Sequence, residues 1–196
     1  MVVLAVVLAL HVCPQRIVVT APSAHATTAS LSLVECGRRV AGPFRARVGF
    51  NGVSAHHREG DGTTPLGTFA IGPTIYGLDP NPGLQLAYHR LRCGDWWDED
   101  PASPTYNSFR HVTCGTKPPF GGTSEALWRA TVAYREFAFL EYNAAPAVPG
   151  RGSAIFLHDD RGHATNGCVS LPRPELVVIL RRLRTGATMQ IRLASA

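Results

Sequence analysis

The stretch from Gly152 to Leu171, G-S-A-I-F-L-H-D-D-R-G-H-A-T-N-G-C-V-S-L, holds the residues best suited to chemistry. An apolar run of strand length delivers His158 at its end, where a side chain meets solvent. Ten positions later Cys168 follows Gly167, whose backbone can take angles closed to other residues and so lets a substrate come close. A free thiol titrates near about 8.5 and reacts as the thiolate, and a neighbouring imidazole makes that conversion easy. A strand-end histidine with a turn-held cysteine is the pairing that thiol acyl transfer uses. On residue types alone a plainer reading stands beside it, in which His158 is a rim histidine and Cys168 half of a disulfide. His163, in a loop with Arg161 and Gly162, is a second candidate base, less well placed than His158. His158, Asp159, Asp160 and His163 can also be read as metal ligands, but their spacing is not the helical H-E-x-x-H pattern. No metal and no other cofactor is expected.

The elements that must position these groups read as mostly β. Phe44, Ala46, Val48 and Phe50 alternate with Arg45 and Arg47 as a half-buried strand. The turn-forming run R-E-G-D-G-T-T-P-L-G leads into a strand over Thr68 to Ile71. Residues 74–123 are loop-rich and hold Trp96, Trp97, Tyr106 and Asn107; so long an irregular segment is usually functional. Trp96 and Trp97, among Asp95, Asp98, Glu99 and Asp100, either line a groove or fix the loop, and the acids can receive an amine. Ser124 caps a short helix running to about Tyr134. Phe137 to Tyr142 and Ser153 to Leu157 read as strands. Pro174 and Glu175 open a helix with Leu176, Ile179, Leu180 and Leu183 on one face, closed by Gly186. Met189, Ile191 and Leu193 alternate as a last strand. The expectation is one mostly β domain with one or two short α-helices.

Met1 to Leu10 is an apolar run too short to span a bilayer as a helix. Small residues follow, ending in Ala24-His25-Ala26, a fit to the signal-peptidase rule. The run lacks the basic start of a usual leader, and a buried N-terminal strand is the alternative. The expected division is a signal peptide over 1–26 and a catalytic domain over 27–196, with export to the cell wall or medium. Cys13 lacks the small residues of a lipid-attachment box. Cys93 and Cys114 each precede glycine and bracket a loop rich in Asp, Pro and Ser, which suggests a disulfide; Cys36 is left over. The net charge of +5 is scattered, with no basic run interleaved with aromatics, so nucleic acid is not an expected partner. The mature form is expected to be a monomer without a membrane anchor.

G-S-A-I-F-L-H followed by T-N-G-C-V-S-L resembles the signature of the L,D-transpeptidase catalytic domain, the YkuD type. R-E-G-D-G-T-T-P-L-G-T-F-A-I resembles that family's T-P-x-G-x-F strand, and T-G-A-T-M-Q-I its closing strand. The likeness covers roughly residues 35–193. It implies a β-rich, sandwich-like fold and an acyl-enzyme mechanism on peptidoglycan stem peptides. In that mechanism the carbonyl of the third, diamino acid residue is attacked and the terminal D-Ala expelled. The acyl group then passes to an amine, forming a cross-link, or to water. Carried over by position, Cys168 is the nucleophile and His158 its base. Backbone N–H groups around Gly167 and Cys168 hold the oxyanion, and Thr165 is the family's turn hydroxyl. Asn166, Ser170, Arg161, His163 and Trp97 are candidates to line the substrate groove. Asn166 stands where many members have His, Ser170 where many have Asn or Arg, and the His-to-Cys gap is short, the marks of a divergent subgroup. Papain-like wall hydrolases place Cys before His and fit poorly; the remaining rival is a non-catalytic wall-binding module of the same fold.

Overall fold

A computed structural model describes residues 13–195. The apolar run Met1 to Leu10 lies outside the described residues. The strands are β1 Gln15–Ala21, β2 Thr28–Glu35, β3 Arg38–Arg47, β4 Val53–Ser54, β5 Thr64–Pro65, β6 Gly67–Gly77, β7 Ala87–Arg90, β8 Asp95–Asp98, β9 Ser108–His111, β10 Glu125–Ala126, β11 Phe137–Leu140, β12 Phe156–Asp159, β13 Val169–Leu171 and β14 Thr188–Leu193. One α-helix, α1 (Arg173–Leu180), precedes β14. The mostly β class is as expected.

The main sheet runs β11-β12-β13-β3-β2-β1-β14-β6-β7, and β6 pairs again with β11, so the sheet curls into a barrel-like ring. Its core is set by alternation. Ile17, Val19 and Ala21 of β1 point inward, as do Leu31 and Leu33 of β2. The register places Ile17 between Leu33 and Met189, and Val19 between Leu31 and Ile191. These β-branched and leucine side chains suit a pleated surface buried on one face. Leu176, Ile179, Leu180 and Leu183 bring α1 and the turn after it onto the same core.

The first strand bears on the division of the chain. Residues 15–21 are an inner strand of the sheet, paired on both sides, and a chain beginning at residue 27 would lack it. Cleavage after Ala26 would remove two fully buried β-branched side chains, Ile17 and Val19, and leave β2 and β14 as open edges. Cys13 and Cys36 are disulfide-bonded, which accounts for the leftover cysteine, and Cys93 pairs with Cys114 as expected.

Two other elements differ from expectation. Residues 124–134 form no α-helix: Glu125–Ala126 is a strand paired with β8, followed by a single 3₁₀ turn, Leu127–Arg129. The pairing of Glu125 with Trp97 takes the backbone bonds that a helix would need. Residues 74–123 are more ordered than expected, contributing the end of β6, all of β7, and β8 and β9 of the small sheet β10-β8-β9. This segment covers an aromatic cluster of Trp97, Tyr134, Phe137 and Phe156 on the outer face of β11 and β12. β12 is therefore buried on both faces along its whole length.

Candidate active site

Strand register brings the predicted pair together. β12 and β13 run parallel with Leu157 opposite Val169, which sets Phe156 beside Cys168; the Phe156 N–H lies 3.4 Å from the Cys168 sulfur. His158, two residues on, projects from the same face as Phe156. His158 and Cys168 line one cavity of about 110 Å³ with Tyr134, Arg161, His163 and Ser170. Cys168 is the one free cysteine among the described residues and is half-buried, which removes the disulfide reading of it.

The His158 tautomer follows from its partner. Nδ1 lies 2.7 Å from the carbonyl oxygen of Asp159, which can only accept, so Nδ1 carries the proton and Nε2 is the free acceptor. Burial holds the imidazole down at about 4 against an ordinary 6.5, so it is neutral at neutral pH. Burial also pushes the Cys168 thiol well above its ordinary value. The resting pair is thus a neutral thiol and a neutral base, not a preformed thiolate–imidazolium pair. In this state the thiol donates to the carbonyl of Ala154 at 3.3 Å.

The turn carrying Cys168 is tied down by hydroxyls. Thr165 Oγ1 donates to the Cys168 carbonyl at 2.6 Å and accepts from the Gly167 N–H at 3.2 Å. Thr64, from the T-P-L-G run, donates to the same carbonyl at 3.3 Å. Gly167 has φ +139, and a Cβ there would meet the Thr63 carbonyl oxygen at 3.0 Å. Its N–H is already engaged by Thr165 Oγ1.

Of the groove candidates, Asn166, Arg161, His163 and Ser170 border the His158 cavity. The Ser170 hydroxyl is buried and has no partner among the described residues. Trp97 does not border it. It is buried in the aromatic cluster, and its indole N–H bonds Asn107. Neither do Asp95, held by His89 and His111, nor Asp98, held by Ser103 and Thr105. His158, Asp159, Asp160 and His163 do not converge: no cluster able to hold a metal occurs among the described residues.

Sequence reasoning missed the role of Asn107. Buried at φ +58, it accepts from Trp97 Nε1 and from the Ala154 N–H, both at 3.0 Å, and donates to the carbonyls of Tyr142 and Asn143. It thereby fixes Ala154, itself at φ +52, whose carbonyl holds the thiol. An alanine rarely takes that conformation, and strain of this kind persists where the surroundings impose it. Asn107→Ala leaves several buried polar groups unpaired and should cost about 3 kcal/mol or more in urea unfolding. A loss under about 1 kcal/mol would contradict this role for Asn107.

A family profile described as L,D-transpeptidase catalytic domain (YkuD) matches residues 14–191. No curated protein matches. Among solved structures, the chain is similar to Mycobacterium tuberculosis L,D-transpeptidase 1 at 11% identity and a TM-score of 0.40, covering 92% of this chain and 62% of that one. It is also similar to the helical cell shape determining protein Pgp2 of Campylobacter jejuni at 12% identity and a TM-score of 0.45, covering 95% of this chain and 50% of that one. The chain thus spans about half to three-fifths of those proteins.

Proposed function

Because this chain belongs to the L,D-transpeptidase catalytic domain family, we propose that it is an exported thiol acyltransferase of peptidoglycan stem peptides, with Cys168 as nucleophile and His158 as base. The supporting observation is the arrangement of one unpaired cysteine and one tautomer-fixed imidazole on the walls of one cavity. Two disulfides suit an oxidising compartment outside the cytoplasm. No helix among the described residues is long and apolar enough to cross a membrane.

Catalysis starts with a rotation of the thiol away from Ala154, so that its proton passes to His158 Nε2 as sulfur attacks the carbonyl of the third stem residue. The Cys168 N–H stabilises the oxyanion, an interaction worth about 3 kcal/mol in such sites. The imidazolium then gives its proton to the leaving D-Ala amine, and a thioester remains on Cys168. An incoming amine or water attacks the thioester, loses a proton to His158, and the thiol is restored. Arg161, His163, Asn166 and Ser170 are placed to contact the stem.

Incubation with purified tetrapeptide-stem muropeptides, followed by mass spectrometry, tests this. Loss of the terminal residue, with cross-linked or tripeptide products, is expected. His158→Ala should lower turnover by on the order of a hundredfold or more, while His163→Ala should keep most of it. Because burial depresses the His158 value, the base is lost only as pH falls toward about 4, so the acid limb of kcat/KM should lie well below 6.5. An unprocessed stem would favour the non-catalytic module, and the reverse ranking of the histidines would move the base to the loop.

A further inference from the structure

A second cavity, of about 390 Å³, reaches Cys168 without touching His158. Three carboxylates line it, Glu59, Glu99 and Glu125, together with His57, Ser153 and Thr123. No lysine or arginine borders it, and none of the three forms an ion pair among the described residues, in a chain whose net charge is +5. Arg161 and Arg129 border Glu125 only through neighbouring clefts.

Glu59 spends one oxygen on the Tyr106 hydroxyl and on Ser153, and Glu125 spends one on the Tyr134 hydroxyl. Glu99 is 8% exposed, and its Oε1 has no partner at all among the described residues. A buried carboxylate without a partner is costly unless something arrives to pair with it. His57 does not supply that charge, since burial lowers its value and keeps the ring neutral. The carboxylates do not converge on a single point as metal ligands would.

We propose that this cavity is a subsite for a primary ammonium group of the peptide substrate, held by Glu99 with Glu59 and Glu125 while the substrate reacts at Cys168. This rests on the acyltransfer reading above and adds to it the charge of the group recognised. The ammonium comes either from the side chain of the donor's diamino acid or from the acceptor strand. In the empty cavity, burial and the neighbouring Glu125, Glu59 and Asp98 raise Glu99 to about 9, so it carries a proton at neutral pH. A bound ammonium favours the carboxylate, so binding should release that proton.

Calorimetric titration of the Cys168→Ala protein tests the subsite without any need for turnover. The probes are Nα-acetyl-lysine amide and its analogue with a hydroxyl in place of the amine. The cationic probe should bind at least about tenfold more tightly, with a heat that varies with the buffer's ionisation enthalpy as a proton is released. Glu99→Gln should remove both the preference and the proton release, and Glu59→Gln should weaken the preference if Glu99→Gln fails to fold. Equal affinity for the two probes, no binding of the cationic one, or a preference untouched by both substitutions would overturn the proposal. Tetrapeptides with a free or an acetylated third-residue amine separate the two sources. Faster acylation by the free amine identifies the donor, and a shift only in the split between amine and water identifies the acceptor. Since the binding protein lacks the thiol, its result stands whether or not Cys168 proves to be the nucleophile.

Discussion

Cys168→Ala is expected to abolish release of the terminal residue from tetrapeptide stems, a loss on the order of 10⁴-fold or more. No other thiol can take over, because Cys13, Cys36, Cys93 and Cys114 are paired in disulfides. His158 alone can activate water, but nothing in the cavity then forms the covalent intermediate that divides the reaction into two easier steps. Stability should hardly change. The sulfur's polar contacts are long ones, to the Ala154 carbonyl and the Phe156 N–H at 3.3 and 3.4 Å, and the side chain is half-buried. Matching urea midpoints with activity lost in the variant would separate chemistry from folding. Retained activity in a folded Cys168→Ala protein would remove the thiol from the mechanism.

A protein made to begin at residue 27 should not fold. It lacks β1, whose Ile17 and Val19 are fully buried, each worth about 1.5–3 kcal/mol of burial. It also lacks the backbone pairing of β1 to β2 and β14, and the Cys13–Cys36 link across 23 positions, worth roughly 3 kcal/mol by loop entropy. Together these approach or exceed the 5–15 kcal/mol of net stability that domains usually possess. Circular dichroism and urea unfolding would check this, with a version that keeps residues 13–26 as reference. A cooperative transition in the shorter protein would show that the sheet closes without β1.

The reasons these features were or were not legible in the sequence are physical. His158 and Cys168 stood out because a strand end and a glycine turn are local features, and the strand register then joined them. β1 was hidden because the alternation of Ile17, Val19 and Ala21 sits between an apolar run and an Ala-x-Ala pattern, and a strand with one buried face and a leader look alike in composition. The expected helix after Ser124 failed because its residues pair with Trp96 and Trp97, a contact of long sequence separation. The strand expected from Ser153 begins at Phe156, since Ala154 takes a left-handed conformation imposed by Asn107. For the same reason Asn107 itself looked like one more polar loop residue. Among the acids beside Trp96 and Trp97, only Glu99 reaches the cavity, and no spacing rule distinguishes it from Asp95, Asp98 or Asp100.

The most direct test of acyl transfer at Cys168 is covalent capture by a carbapenem-type β-lactam. Its strained amide is an easy acyl donor for a thiol beside a base, and ring opening leaves no departing fragment, so the thioester persists long enough to weigh. Intact-protein mass spectrometry should show an increase equal to the mass of the drug, peptide mapping should place it on Cys168, and Cys168→Ala should show none. A folded protein with a free Cys168 that gains no mass on prolonged exposure, or gains it at another residue, would contradict Cys168 as the nucleophile.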